Sequence, residues 1–93
     1  MDWELVQHQD VLTAIRECDE LGEEEFLEIH HFKRARDYHL LHGGTSYPSK
    51  AILGVAYGHA TGSPAKSSEF SGGKDGAAKV LRALGFEVVG PDR

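Results

Sequence analysis

One cysteine, Cys18, stands in 93 residues, so no internal disulfide can form and no cysteine-rich zinc site can be built. No apolar run approaches the roughly 18 residues that a membrane-spanning helix needs. A basic stretch followed by an apolar one, the mark of a secretory signal, is missing at the N-terminus, and a cytoplasmic protein is expected. Bases are scarce in one half only. Residues 1–28 hold ten acids against the single base Arg16, a net of −9, while residues 29–93 carry nine bases and five acids, a net of +4. The overall charge of −5 therefore does not exclude a polyanion partner, because a ligand feels the local face rather than the sum.

What is present is the make-up of one small domain spanning residues 1–93. Hydrophobic residues are 40% and charged residues 27%, ordinary for a globular chain of this length. Val11, Leu12, Ile15 and Cys18 recur at helical spacing, which predicts a helix over 9–21, with Asp10 as N-cap and Gly22 closing it. Glu23, Glu24 and Glu25 open a second helix at its dipole-favoured end, burying Phe26, Leu27 and His30. Residues 37–42 and 45–47 read as a hairpin about Gly43-Gly44, with pairing expected to stop before Pro48. Ser49 is expected to N-cap a third helix reaching Ala60, its apolar face formed by Ala51, Ile52, Val55, Ala56 and His59. A Gly/Ser/Pro-rich loop over 61–73 has Phe70 as its anchor. A fourth helix over 75–84 shows Lys79 and Arg82 to water, and residues 86–89 form a last strand. The fold class is α+β: about four helices with a small antiparallel sheet of two or three short strands. Its economy resembles that of winged-helix proteins, although the element order is different.

Three clusters carry chemistry. In Lys33-Arg34-Ala35-Arg36 the two arginines are two apart, so on extended backbone both point to one side and suit neighbouring phosphates or a guanine edge. The alternative is that these bases pair with the acidic first helices. In Tyr47-Pro48-Ser49-Lys50 a helix start offers free N–H groups to an anion, Lys50 would be compensated there by a phosphate, and Tyr47 would add a hydroxyl or stack on a sugar. An ordinary cap, with Lys50 solvated or bridging to an acid, is the competing reading. Ser71-Gly72-Gly73-Lys74 lacks phosphate-loop spacing; a turn seating Phe70 is the preferred reading, with a backbone clamp on phosphate by Gly72, Gly73 and Lys74 beside it.

Catalysis finds little support. The six histidines show no metal-ligand spacing, Cys18 lies among aliphatic residues as an inert thiol, and no nucleophile has motif context. No metal or cofactor is expected.

One run is more specific: Arg34-x-Arg36-x-Tyr38-x-Leu40-x-His42-x-Gly44-x-x-Tyr47-x-Ser49-Lys50-Ala51-Ile52-x-Gly54-x-Ala56, followed by Glu69-Phe70-Ser71-Gly72-Gly73 and Leu84-Gly85-Phe86. With the opening residues 11–22, this pattern resembles the N-terminal head domain of ScoMcrA-like (McrA-type) HNH restriction endonucleases over roughly residues 10–89. The resemblance implies a non-catalytic, DNA-binding targeting domain of a modification-dependent (type IV) restriction enzyme whose nuclease motif lies outside these 93 residues. Arg34, Arg36, Tyr47, Ser49 and Lys50 match the polar positions of the family's motif, and Gly72 and Gly73 its glycine pair. Tyr57-Gly58-His59 departs from the family's His-Gly-Tyr order. The partners implied are double-stranded DNA, modified DNA included, and the parent enzyme's other domains; a homodimer is a further expectation, tied to the acidic helices. The alternative is an interaction module that docks its acidic helices on another domain or self-associates. A small enzyme using Lys50 with His42 or His59 is the third reading.

Overall fold

The computed structural model describes all residues, 1–93. Helices α1 (His8–Leu21) and α2 (Glu23–His30) come first, then the hairpin β1 (His39–His42) and β2 (Thr45–Pro48). Helix α3 (Ser49–Thr61), helix α4 (Ala77–Ala83) and strand β3 (Glu87–Val89) follow, with 3-10 turns at Trp3–Leu5 and Ser67–Glu69. The three strands form one antiparallel sheet in the order β2-β1-β3. Four helices and this small sheet make the α+β fold expected. No helix is long and apolar enough to cross a membrane.

Helix α3 is the centre of the molecule. Ser49 and Ala51 to Ala56 are all buried, which only a helix covered on every side allows. Helices α1 and α4 pack against it. On the sheet, Leu40 pairs in register with Tyr47 on one side and Val88 on the other, and all three are buried. That row, with the buried Pro48 beside it on β2, is the sheet's contribution to the core. Burying a side chain the size of Phe26 or Leu81 contributes about 1.5–3 kcal/mol, and the alanines of the core (Ala14, Ala51, Ala56, Ala77 and Ala78) contribute less.

Several sequence expectations are corrected. Asp10 is not the N-cap of α1: Gln7 is, and the Gln7 backbone N–H donates to Asp10 Oδ2 at 2.9 Å, the acid acting from the third helical position. Strand β1 starts at His39, not Asp37, and Phe86 precedes β3. Pro48 does pair, opposite His39, because β2 is an edge strand where a missing N–H costs no ladder bond. With φ of −72° and extended ψ, Pro48 is itself the N-cap of α3, which moves Ser49 inside the helix and ends its capping role. His59 is exposed rather than buried, on the last turn of α3 beyond the final buried residue, Ala56. Helix α4 spans only Ala77–Ala83. Arg82 is not turned to water: it donates to the Val88 carbonyl at 2.7 and 3.2 Å and to Asp92 at 2.7 and 3.0 Å.

Other expectations hold. Gly43 and Gly44 have φ of 56° and 81°, as a tight hairpin turn of the I′ type requires. Phe70 anchors its loop on Trp3 and Phe32, with ring centroids 5.0 and 6.2 Å apart. Cys18 is buried, and burial, then the charges of Glu23, Asp19 and Glu17, push its thiol up to about 11, far from reactive thiolate.

Candidate nucleic-acid interface

Helix α2 ends in a sharp reversal. His31 adopts the left-handed conformation with φ of 59°, and the Phe32 N–H returns to the Leu27 carbonyl at 2.9 Å. Phe32 thereby turns into the core, and the following residues 33–36 leave as irregular backbone over the surface. Lys33, Arg34 and Arg36 are exposed. None of them forms an ion pair; the two pairs in the molecule are His30–Glu17 and Arg82–Asp92. The alternative in which these bases are neutralised by the acidic helices is therefore not the arrangement adopted.

The segment 33–38 forms one wall of an open groove of about 350 Å³. Pro48, Ser49 and Lys50, at the start of α3, form its floor, and Ser67, Gly72 and Gly73 its opposite wall. Seven of the nine candidate residues meet here: Lys33, Arg34, Arg36, Ser49, Lys50, Gly72 and Gly73. They come from three segments far apart in sequence. Asp37 is the one acid among the lining residues, against four bases.

Two candidates lie elsewhere. Tyr47 is buried, and its hydroxyl donates to Asp19 Oδ1 at 2.6 Å, so the expectation that it offers a hydroxyl or a ring to DNA is corrected. That hydrogen bond, followed by burial, raises the Tyr47 phenol above its ordinary value. Lys74 is exposed just past the glycine wall and does not line the groove.

Two residues inside the groove are occupied differently from expectation. Ser49 is buried and its Oγ donates to the Tyr38 carbonyl at 3.1 Å. Lys50 is half-buried and not bridged to an acid: Nζ donates to the Ser67 carbonyl at 2.7 Å and to Ser67 Oγ at 3.3 Å, and lies 5.2 Å from the centroid of the Phe70 ring. Tyr38, which sequence reasoning does not select, also lines the groove. Its ring lies so close to Gly90 that a methyl group there would fall 2.3 Å from it. The signal for it is the alternation Arg34, Arg36, Tyr38, which continues the arginine spacing towards β1.

No group of three or more His, Cys, Asp or Glu side chains is arranged to hold a metal ion. No buried side-chain nitrogen or oxygen is left without a partner. The groove is thus a cationic, solvent-open surface whose chemistry is hydrogen-bond donation.

No curated protein matches the chain. Among solved structures it is similar to the type IV phosphorothioation-dependent restriction endonuclease ScoMcrA, with 32% identity and a TM-score of 0.64. The match covers 95% of this chain and 13% of that one. The family model of the ScoMcrA-like N-terminal head domain matches residues 4–90, from the 3-10 turn at Trp3 to the end of β3, so the chain belongs to the ScoMcrA-like N-terminal head domains.

Proposed function

We propose that this domain is a non-catalytic DNA-binding module that targets a modification-dependent, type IV HNH restriction endonuclease, and that it holds the DNA backbone in the groove between residues 33–38 and Ser67–Gly73. The observation that carries the reading is the trio of exposed, unpaired bases Lys33, Arg34 and Arg36 on one wall of a groove with a single acid. Guanidinium forks and an ammonium on one rim suit successive phosphate oxygens. The Gly72 and Gly73 backbone lets a strand approach closely, and Lys74 extends the cationic surface beyond the rim. Contacts of this kind position a protein on DNA and leave sequence reading to other modules. By the likeness to the solved relative, whose description includes phosphorothioation dependence, a phosphorothioate-bearing duplex is the first modified DNA to compare.

The test is titration of the 93-residue chain into a fluorescent duplex at several salt concentrations, beside the Lys33→Ala/Arg34→Ala/Arg36→Ala variant. Wild-type affinity should fall steeply with salt, by about 0.9 in log–log slope per phosphate held, and binding should be lost in the variant. A folded wild-type chain that binds no duplex at low salt would overturn the reading. The interaction module is then the surviving function: the acidic α2 face, with Glu23, Glu24, Glu25 and Glu28 exposed, docks on another domain or a second copy. The basic character of the groove favours the nucleic-acid reading over this one.

A further inference from the structure

Ser49 and Lys50 are adjacent in the first turn of α3, and each spends its side chain on a main-chain carbonyl. Ser49 Oγ reaches Tyr38, which ends the wall carrying Lys33, Arg34 and Arg36. Lys50 Nζ reaches Ser67, which begins the opposite wall. The Lys50 stem runs beside that wall as well. A methyl group at Gly72 would lie 3.5 Å from both Cβ and Cδ of Lys50, so Gly72 faces the lysine stem across the space of one methyl group. Phe70 lies beneath the ammonium at 5.2 Å. The loop 67–73 therefore wraps around one lysine side chain.

We infer that Ser49 and Lys50 are positioning residues that fasten the two walls of the groove to the buried helix α3, and that Lys50 is not a phosphate ligand. The inference rests on the DNA-binding reading above and reassigns two residues that the sequence offers as phosphate contacts. The Lys50 ammonium spends two of its three N–H donors on Ser67, at 2.7 Å to the carbonyl and 3.3 Å to Oγ, which holds it on that wall and leaves at most one donor for any other group. Arg34 and Arg36 have no such commitment.

The two roles separate by salt dependence, because a side chain that touches no phosphate releases no counterion when it is removed. The experiment compares Lys50→Met, Lys50→Arg and Arg34→Ala in duplex titrations across a salt series. Amide hydrogen exchange over residues 67–73 is measured in parallel on the DNA-free chain. Lys50→Met should weaken binding about tenfold with the wild-type slope kept, since it loses a charge-assisted bond and not a phosphate contact. It should also speed exchange in 67–73 by about tenfold. Lys50→Arg, which keeps a donor for the Ser67 carbonyl, should restore both. Arg34→Ala should lower the slope by about 0.9 and leave exchange in 67–73 unchanged. A slope reduced by Lys50→Met with undisturbed exchange would make Lys50 a direct phosphate contact and overturn the inference. So would unchanged affinity and exchange in a folded Lys50→Met chain. Should the wild-type chain bind no duplex while Lys50→Met still mobilises residues 67–73, the DNA-binding reading falls and the fastening of the wall stands.

Discussion

His31 shows what one residue does for the surface. Its left-handed backbone reverses the chain between α2 and the basic segment, a conformation glycine adopts without the Cβ cost. Because the side chain is exposed, His31→Gly should stabilise the domain by up to about 1 kcal/mol in chemical denaturation. Gly54 is the opposite case: a Cβ there would meet Phe32 Cζ at 2.5 Å and the Ala65 carbonyl at 2.9 Å. Gly54→Ala should therefore destabilise by roughly 1–3 kcal/mol, read in the same experiment. Cys18 and Tyr47 set the alkaline limit. Both acids titrate higher in the folded chain than in the unfolded one, so the folded state holds the extra protons. Their contribution is complete below the ordinary values of 9.0 and 10.0 and is lost as pH rises, for Cys18 through about 11. Denaturation midpoints should be level up to about pH 9 and then fall, and Tyr47→Phe should reduce that fall.

Elements are legible in sequence where a rule is local, and misread where a neighbour decides. The 3.6-residue spacing of Val11, Ile15 and Cys18 and the Gly43-Gly44 turn suffice to find α1 and the hairpin. Whether Asp10 caps from the N-cap or from inside the first turn depends on where Gln7 leaves the helix, which composition does not reveal. Asp10→Ala should cost about 0.5–1 kcal/mol either way, because the Gln7 N–H loses its acceptor. Pro48 is misplaced by sequence alone because edge and centre of a sheet are indistinguishable until β3, about forty residues later, takes the other side of β1. The candidate site follows the same division. The charges of residues 33–36 are visible directly. The commitments of Tyr47 to Asp19 and of Lys50 to Ser67 link distant segments and become visible only once those segments meet.

At the scale of the whole molecule, size limits what the domain can hold. Its extents are 31 × 27 × 24 Å, and one turn of duplex DNA is about 34–36 Å long. Affinity should therefore rise with duplex length up to about ten base pairs and then level off, apart from the statistical gain of overlapping sites; titrations with duplexes of about 6, 8, 10, 14 and 18 base pairs check this. A continued rise would mean that a second copy joins on the same DNA. On the DNA-binding reading the segregation of charge acts here too, since the −9 of residues 1–28 repels a polyanion and the +4 of the remainder attracts it.

Both bonds that fix the groove end on peptide carbonyls, Tyr38 on one side and Ser67 on the other. A carbonyl is supplied by every amino acid, so the bond from Ser49 to Tyr38 is indifferent to which side chains stand at positions 33–36. Substitutions at positions 33–36 therefore leave the cleft's shape untouched while rewriting what it presents. Such a scaffold is suited to acquiring new ligands by drift along its rim, and libraries randomised at those four positions should return mostly folded proteins.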